Sequence, residues 1–370
     1  MAPPIALPPH TWTSVTVSVE TTHRDLAVRG ALPHAVSGRL LGVHSDVVHC
    51  AEIHGGRLLT YGVYRARHDT RADIAADNLL VFGGSILTFG PGSLVHELSP
   101  NLDTLTPVDL AGRSRRLTAC PKRDQNTGDL HLLAAAPDQS QAHVVVSSGA
   151  LTRRDRPIID SPNRVEDLAI AGDHVLFASD GFLGIGSSDL VAPVKWIPTG
   201  VDAPALVHAD AVDGTVVAFT LTPSLERWTI HPASLTIDRE VLDPTPQRLA
   251  RTNHHERDAV RQLLWMIGDR TADTHDLATG RAVHRSFGQR QPGDFVFITD
   301  PRRPRDPDGG WLLGFVHDGS GRDAELVVLD AGDISRSAIA AVRIPQLTPV
   351  DLHTTWVPET SQQTQPGDRP

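Results

Sequence analysis

Short apolar and β-branched runs recur along this 370-residue chain, each fenced by Gly, Pro or Asp. Residues 79–82, 143–147, 175–178, 215–221, 294–298, 311–317 and 324–329 are runs of this kind. Turn signals separate them: Gly83-Gly84, Asp180-Gly181, Asp213-Gly214, Asp308-Gly309-Gly310 and Gly319-Ser320-Gly321. Many short strands with regular turns point to an all-β sandwich, barrel or propeller, and periodicity alone does not choose among the three. One stretch, residues 256–266, spaces Val260, Leu263 and Leu264 at a 3.6-residue period and reads as a helix. No fixed-period repeat of the WD or kelch kind is present.

Composition narrows the partners. Hydrophobic residues make up 40% of the chain, ample for a core, and the net charge is −10. A chain this acidic lacks the basic stripe that phosphate backbones require, so no nucleic-acid partner is expected. The cluster Arg302-Arg303-Pro304-Arg305 sits among aspartates and reads as a solvated loop. Residues 1–9 carry no charged leader and no sustained apolar stretch, so no signal peptide is expected. Nothing approaches the ~20 apolar residues of a membrane span. Two cysteines, Cys50 and Cys120, make no disulfide framework, and a reducing cytoplasm is the expected compartment. Only Lys122 and Lys195 among the 34 basic residues are lysine, a bias that suggests a GC-rich bacterial genome.

Motifs spread along the chain add a more specific expectation. Near the C-terminus, Gly310-Trp311-Leu312-Leu313-Gly314-Phe315-Val316-His317-Asp318 leads into Glu325-Leu326-Val327-Val328-Leu329-Asp330-Ala331. Arg343-Ile344-Pro345 and Asp351-Leu352-His353-Thr354-Thr355-Trp356 follow. Upstream stand Leu117-Thr118-Ala119-Cys120-Pro121-Lys122, Arg164-Val165-Glu166-Asp167-Leu168-Ala169-Ile170 and His208-Ala209-Asp210-Ala211. Val28-Arg29-Gly30-Ala31-Leu32-Pro33 lies near the start. In this order the motifs resemble those of the carotenoid cleavage oxygenase family, from about Val28 to Trp356. The resemblance implies a seven-bladed β-propeller with a reduced loop dome, and a strand where the apolar spacing suggests a helix. The expected organisation is a loosely held segment 1–25, one propeller domain 26–358 and a flexible tail 359–370.

The family holds one Fe(II) with four histidines, one per motif. Here the matching positions are Cys120, Glu166, His208 and His353, so two of the four imidazoles are replaced. Two histidines and a carboxylate are a common Fe(II) arrangement, the facial triad, which Glu166, His208 and His353 could supply, with Cys120 as a further thiolate. The outer-shell glutamates of the family fall near Pro91, Pro292 and Pro307, with Asp294, Asp306 or Asp308 as nearby replacements. Against this reading, Glu166 could pair with an arginine, and Cys120 could be a small buried hydrophobe. No catalytic residue beyond the metal ligands is expected, and the cofactor is Fe(II), another divalent metal or none.

Other features weigh less. His254-His255-Glu256 has no partner at ligand spacing and reads as a polar loop. The segment 181–186 lacks the strand-then-helix context of a dinucleotide loop and reads as a blade connection. With 5% aromatic residues, the chain is poorly equipped for a full-length carotenoid tunnel. The expected substrate is a hydrophobic small molecule: a short apocarotenoid, a phenylpropanoid or another alkene metabolite. The expected reaction is a dioxygenase attack on its C=C bond. The alternative is a repurposed propeller, a cyclase, isomerase or lyase, or a binding protein for a hydrophobic metabolite.

Overall fold

The computed structural model describes residues 20–44, 47–65, 78–82, 84–90, 95–99, 101–110, 116–117, 121–147, 152–158, 160–202, 204–222, 224–252, 263–318, 324–344 and 352–359. They form seven antiparallel sheets arranged as the blades of a β-propeller. Blade 1 runs β31 (His353–Pro358), β3 (Gly38–His44), β4 (Val47–His54), β5 (Arg57–Arg65) and β1 (Thr21–Arg24). Blade 2 is β6 (Asn78–Phe82), β7 (Ser85–Phe89), β8 (Val95–Leu98) and β9 (Thr104–Val108). In blade 3, β10 (Arg116–Leu117) and β11 (Lys122–Arg123) both pair with β12 (Leu130–Ala135), followed by β13 (Gln141–Val146) and β14 (Arg153–Pro157).

Blade 4 holds β15 (Val165–Ala171), β16 (His174–Ser179), β17 (Phe182–Ser187) and β18 (Lys195–Pro198). Blade 5 holds β19 (Ala205–Val212), β20 (Thr215–Leu221), β21 (Leu225–His231) and β22 (Thr236–Asp243). Blade 6 holds β23 (Leu249–Thr252), β24 (Leu263–Ile267), β25 (Thr271–Asp276) and β26 (Ala282–Ser286). Blade 7 is β27 (Gln291–Thr299), β28 (Gly310–His317), β29 (Ala324–Asp330), β30 (Ala340–Ile344) and β2 (Val28–Gly30). The ring thus closes twice. The C-terminal β31 becomes the inner strand of the first blade, and the N-terminal β2 becomes the outer strand of the last.

The core explains why the strands read as nearly continuous apolar runs. Side chains alternate across a strand, and here both faces of each blade are covered by neighbouring blades. Leu40 packs toward blade 7, and its neighbour Leu41 packs toward blade 2. Leu312 faces blade 6, and Leu313 faces blade 1. Each of the seven apolar clusters fills one inter-blade interface. Tight hairpins link the strands. Asp213 and Gly214 both take positive φ, 46° and 80°, as a two-residue turn that suits the strand twist requires.

Three expectations need correction. No described residue is helical, and the last part of 256–266 is strand β24, while 253–262 lie outside the described residues. The folded domain begins before residue 26, because Thr21–Arg24 pairs with β5 along an open blade edge. Segment 181–186, read as a connection, is mostly strand β17. At the other end, Glu359 is tied down through Nδ1 of His54, at 2.7 Å, and through its amide to Ser37.

Candidate axial site

The inner strands β11, β15, β19, β23, β27, β31 and β6 succeed one another in that order, each in contact with the next from β11 through to β6. Three of the four expected site residues sit on them: Glu166 on β15, His208 on β19 and His353 at the start of β31. Cys120 lies outside the described residues, just before Pro121 and β11.

His208 is placed by a bulge. The pairing of β19 with β20 slips between Leu206 and His208, which bends the strand and re-aims the side chain. Its Nε2 is buried and meets no hydrogen-bond partner among the described residues. Burial drives the pKa below the ordinary imidazole range, with Asp210 pulling weakly the other way. The ring is therefore neutral at neutral pH.

His353 stands beside a carboxylate. Its Nδ1 lies 3.9 Å from Oδ2 of Asp294, whose side chain is fully buried on β27. The Thr354 amide donates to that same oxygen at 2.8 Å. From β23, Arg251 donates through Nε to Asp294 Oδ1 at 2.9 Å and through Nη2 to Oδ2. The same Nη2 also reaches the Thr354 carbonyl at 3.2 Å. Burial alone would raise the Asp294 pKa, but the Arg251 charge and hydrogen bonds, His353 and the Thr354 amide together hold it below the usual range. Of the three aspartates considered as replacements for outer-shell glutamates, Asp294 is the one beside a candidate ligand. Asp306 and Asp308 occupy the turn after β27, at the strand's far end.

Glu166 sits in a second bulge, between Val165 and Asp167, and its side chain is exposed. The next residue turns inward. Asp167 Oδ2 accepts the Leu206 amide at 2.9 Å, and its Oδ1 meets Lys122 Nζ at 3.4 Å. Lys122 Nζ also donates to the Leu206 carbonyl at 3.4 Å. Two side chains thus lace blades 3, 4 and 5 together directly beside His208.

Among the described residues, no three His, Cys, Asp or Glu side chains gather closely enough to hold an ion. A triad of Glu166, His208 and His353 would need Glu166 to turn inward from its exposed position. On the imidazole side the residues do suit a divalent cation, since His208 offers a neutral ring with a desolvated, unpartnered nitrogen. His254, His255 and Glu256 lie outside the described residues, as does Pro91. Asp167 and Lys122 were inside recognised motifs without an assigned role. Arg251 carried no local signal at all.

The family model described as retinal pigment epithelial membrane protein matches residues 201–358. An apocarotenoid-15,15'-oxygenase of Synechocystis sp. is 28% identical over 150 residues, 36% of this chain and 29% of that protein. A probable carotenoid cleavage dioxygenase 4 of Arabidopsis thaliana is 23% identical over 359 residues, 77% of this chain and 60% of that protein. In fold, a variant of Synechocystis apocarotenoid oxygenase superposes with a TM-score of 0.82 at 18% identity, covering 93% of this chain and 97% of the other. A cobalt-substituted form of that protein gives 0.80 at 17% identity, with the same coverage. The resemblance read from the motifs is borne out in sequence and in fold.

Proposed function

We propose that this carotenoid-oxygenase-like propeller is a metal-dependent oxygenase that cleaves a C=C bond in a short apocarotenoid, a phenylpropanoid or another hydrophobic alkene. The observation that carries the reading is His208, a neutral buried imidazole with an unpartnered nitrogen on an inner strand. Its companion is His353, on the strand that closes the ring. These two would hold an Fe(II) ion, with Glu166 and Cys120 as the remaining candidate donors. A bound ferrous ion would supply the one-electron chemistry that makes O2 reactive toward an alkene. The chain itself does the rest. Burial keeps the His208 ring unprotonated, and the Lys122–Asp167 lacing fixes the strand that carries it. The overall change balances without a co-reductant: one C=C bond and one O2 become two carbonyl groups.

A second reading is favoured by two observations: Glu166 is exposed, and Asp294 is engaged by Arg251. On that reading the propeller is a non-oxidative enzyme or a binding protein for a hydrophobic metabolite. Metal analysis of protein purified without a metal-binding tag, paired with turnover of short conjugated alkenes in air and under nitrogen, separates the two. Stoichiometric iron with O2-dependent cleavage supports the oxygenase. An empty protein, or conversion that persists without O2, supports the alternative.

A further inference from the structure

Blades 3 and 4 meet through a small apolar cluster around Leu133, Val175 and Phe177. The next interface, between blades 4 and 5, is filled more fully, with Leu176, Leu206, Trp228 and Ile230 among its buried side chains. Polar groups take up the difference, and among the described residues they lack partners. His143 packs edge-on against Phe177 and bonds His131 through Nε2, but its Nδ1 is buried and unbonded. Arg156, opposite His143 on β14, donates from Nη1 to the Ala192 carbonyl of blade 4. Its Nε and Nη2 are buried without an acceptor, and Nη2 lies 2.7 Å from where a Cβ on Gly186 would stand. Trp196 lies over Gly184 and leaves its Nε1 in the same state. Ser179 is two residues from Phe177, so it shares that face of β16, and its Oγ is unbonded. Each of these groups forgoes in the closed form a hydrogen bond that water would supply.

Firm ties between the two blades engage the inner strand β15. Gln141 donates from Nε2 to the Val165 carbonyl and accepts the Val165 amide, both at 2.8 Å. Lys122 reaches Asp167 at 3.4 Å. We propose that the outer part of the blade 3–blade 4 interface is a seam that opens locally in the folded protein, hinged on the ties at β15. Opening hydrates the guanidinium, the imidazole and the indole, and so regains the hydrogen bonds that the closed form lacks. It gives up few apolar contacts, and regions with few such contacts open at lower free energy than the core. The strand that carries Glu166 and Asp167 stays in place while the outer strands part.

The test is thiol labelling of the folded, full-length protein at neutral pH with an aromatic disulfide reagent. Labelling is read by peptide mass, so that Cys50 and Cys120 do not contribute. S179C places a probe in the seam. T220C places one at the blade 4–blade 5 interface, on the face of β20 that carries Ala218. Ser179 and Thr220 are both fully buried. S179C is expected to label roughly tenfold faster than T220C or more, because local opening precedes global unfolding. Circular dichroism and urea midpoints check the fold of each variant, and if S179C does not fold, V175C on the same face takes its place. R156M keeps the bulk of the side chain and removes the unbonded donors, so in the S179C background it should slow labelling by about threefold or more. Equal labelling of the two probes overturns the proposal. Faster labelling with R156M overturns it as well, since the guanidinium would then be a clasp that holds the blades shut.

Discussion

The usefulness of an imidazole as a ligand depends on what its surroundings do with its lone pair. His208 is buried and meets no hydrogen-bond partner among the described residues, so among them no hydrogen bond must break to free its nitrogen. His353 is held differently, by its place at the start of the closing strand and by the carboxylate it faces. The two sit on the inner strands of different blades, 5 and 1. His208→Ala and His353→Ala are each expected to reduce metal content and turnover by more than the roughly 10–100-fold typical of outer-shell changes. Cys120→Ser should be milder, since a thiolate beside iron is oxidisable and a buried thiol has an ordinary packing role. Iron per chain and initial rates on a short conjugated alkene measure all three. If both histidine variants keep full activity, the metal mechanism fails and the pocket itself does the chemistry.

At the scale of strands and blades, the site depends on contacts between inner strands. Asp167→Ala removes the acceptor of the Leu206 amide and the partner of Lys122 together. It should cost about 1.5–3 kcal/mol, the usual worth of a hydrogen bond to a charged group. Asp167→Asn keeps one acceptor oxygen and should cost less. Urea unfolding compares the two, and equal losses would show that the carboxylate charge does nothing there. Gly314 makes a similar case on blade 7. A Cβ there would sit 2.5 Å from the Asp294 carbonyl oxygen, which is backbone and cannot swing aside. Gly314→Ala should destabilise by about 1–3 kcal/mol as other overpacked sites do. An unchanged unfolding midpoint would disprove the tightness of that contact.

These elements also show what the sequence could and could not disclose. Strand β20 was legible in full at 215–221, because its ends carry turn residues and its interior is apolar. Residues 263–266 misled for a physical reason: Leu263 faces blade 7 while Leu264 faces blade 5. A strand buried on both faces places apolar residues side by side and imitates helical spacing. His208 and His353 were readable because flanking motifs marked them. The Arg251–Asp294 contact was not, since it joins residues 43 apart that no local pattern connects.

Across the whole molecule, burial of neutral histidines between and within blades makes stability depend on pH. Desolvation is the main cause at each site. It holds His49 at about 3, with His44 and His317 adding to the effect. It also holds His131 at about 4 despite Asp124 and Asp129, and His143 at about 2, helped by His131 and Arg156. His131 and His143 are hydrogen-bonded at 2.9 Å, and Phe177 packs edge-on against His143. The folded pKa values lie below the unfolded value of about 6.5, so between the two the unfolded chain binds more protons. Stability is therefore fully present above pH ~6.5 and falls as pH drops through the folded values, about 4 for His131, about 3 for His49 and about 2 for His143. Each such histidine should contribute a slope of about 1 kcal/mol per pH unit between pH 6 and 5. Together the three should remove about 3 kcal/mol between pH 6 and 5, a sizeable share of a total stability of roughly 5–15 kcal/mol. Replacing the blade 3 pair, in H131L/H143L, should remove about two protons from the uptake on unfolding, read from urea midpoints at pH 7.5, 6 and 5. The ring itself, closed by β31 and β2, should be unaffected at pH 7.5 apart from the cost of the substitutions. If the double variant keeps the full wild-type slope, the acid sensitivity does not come from blade 3, and His49 or carboxylates such as Asp294 carry it.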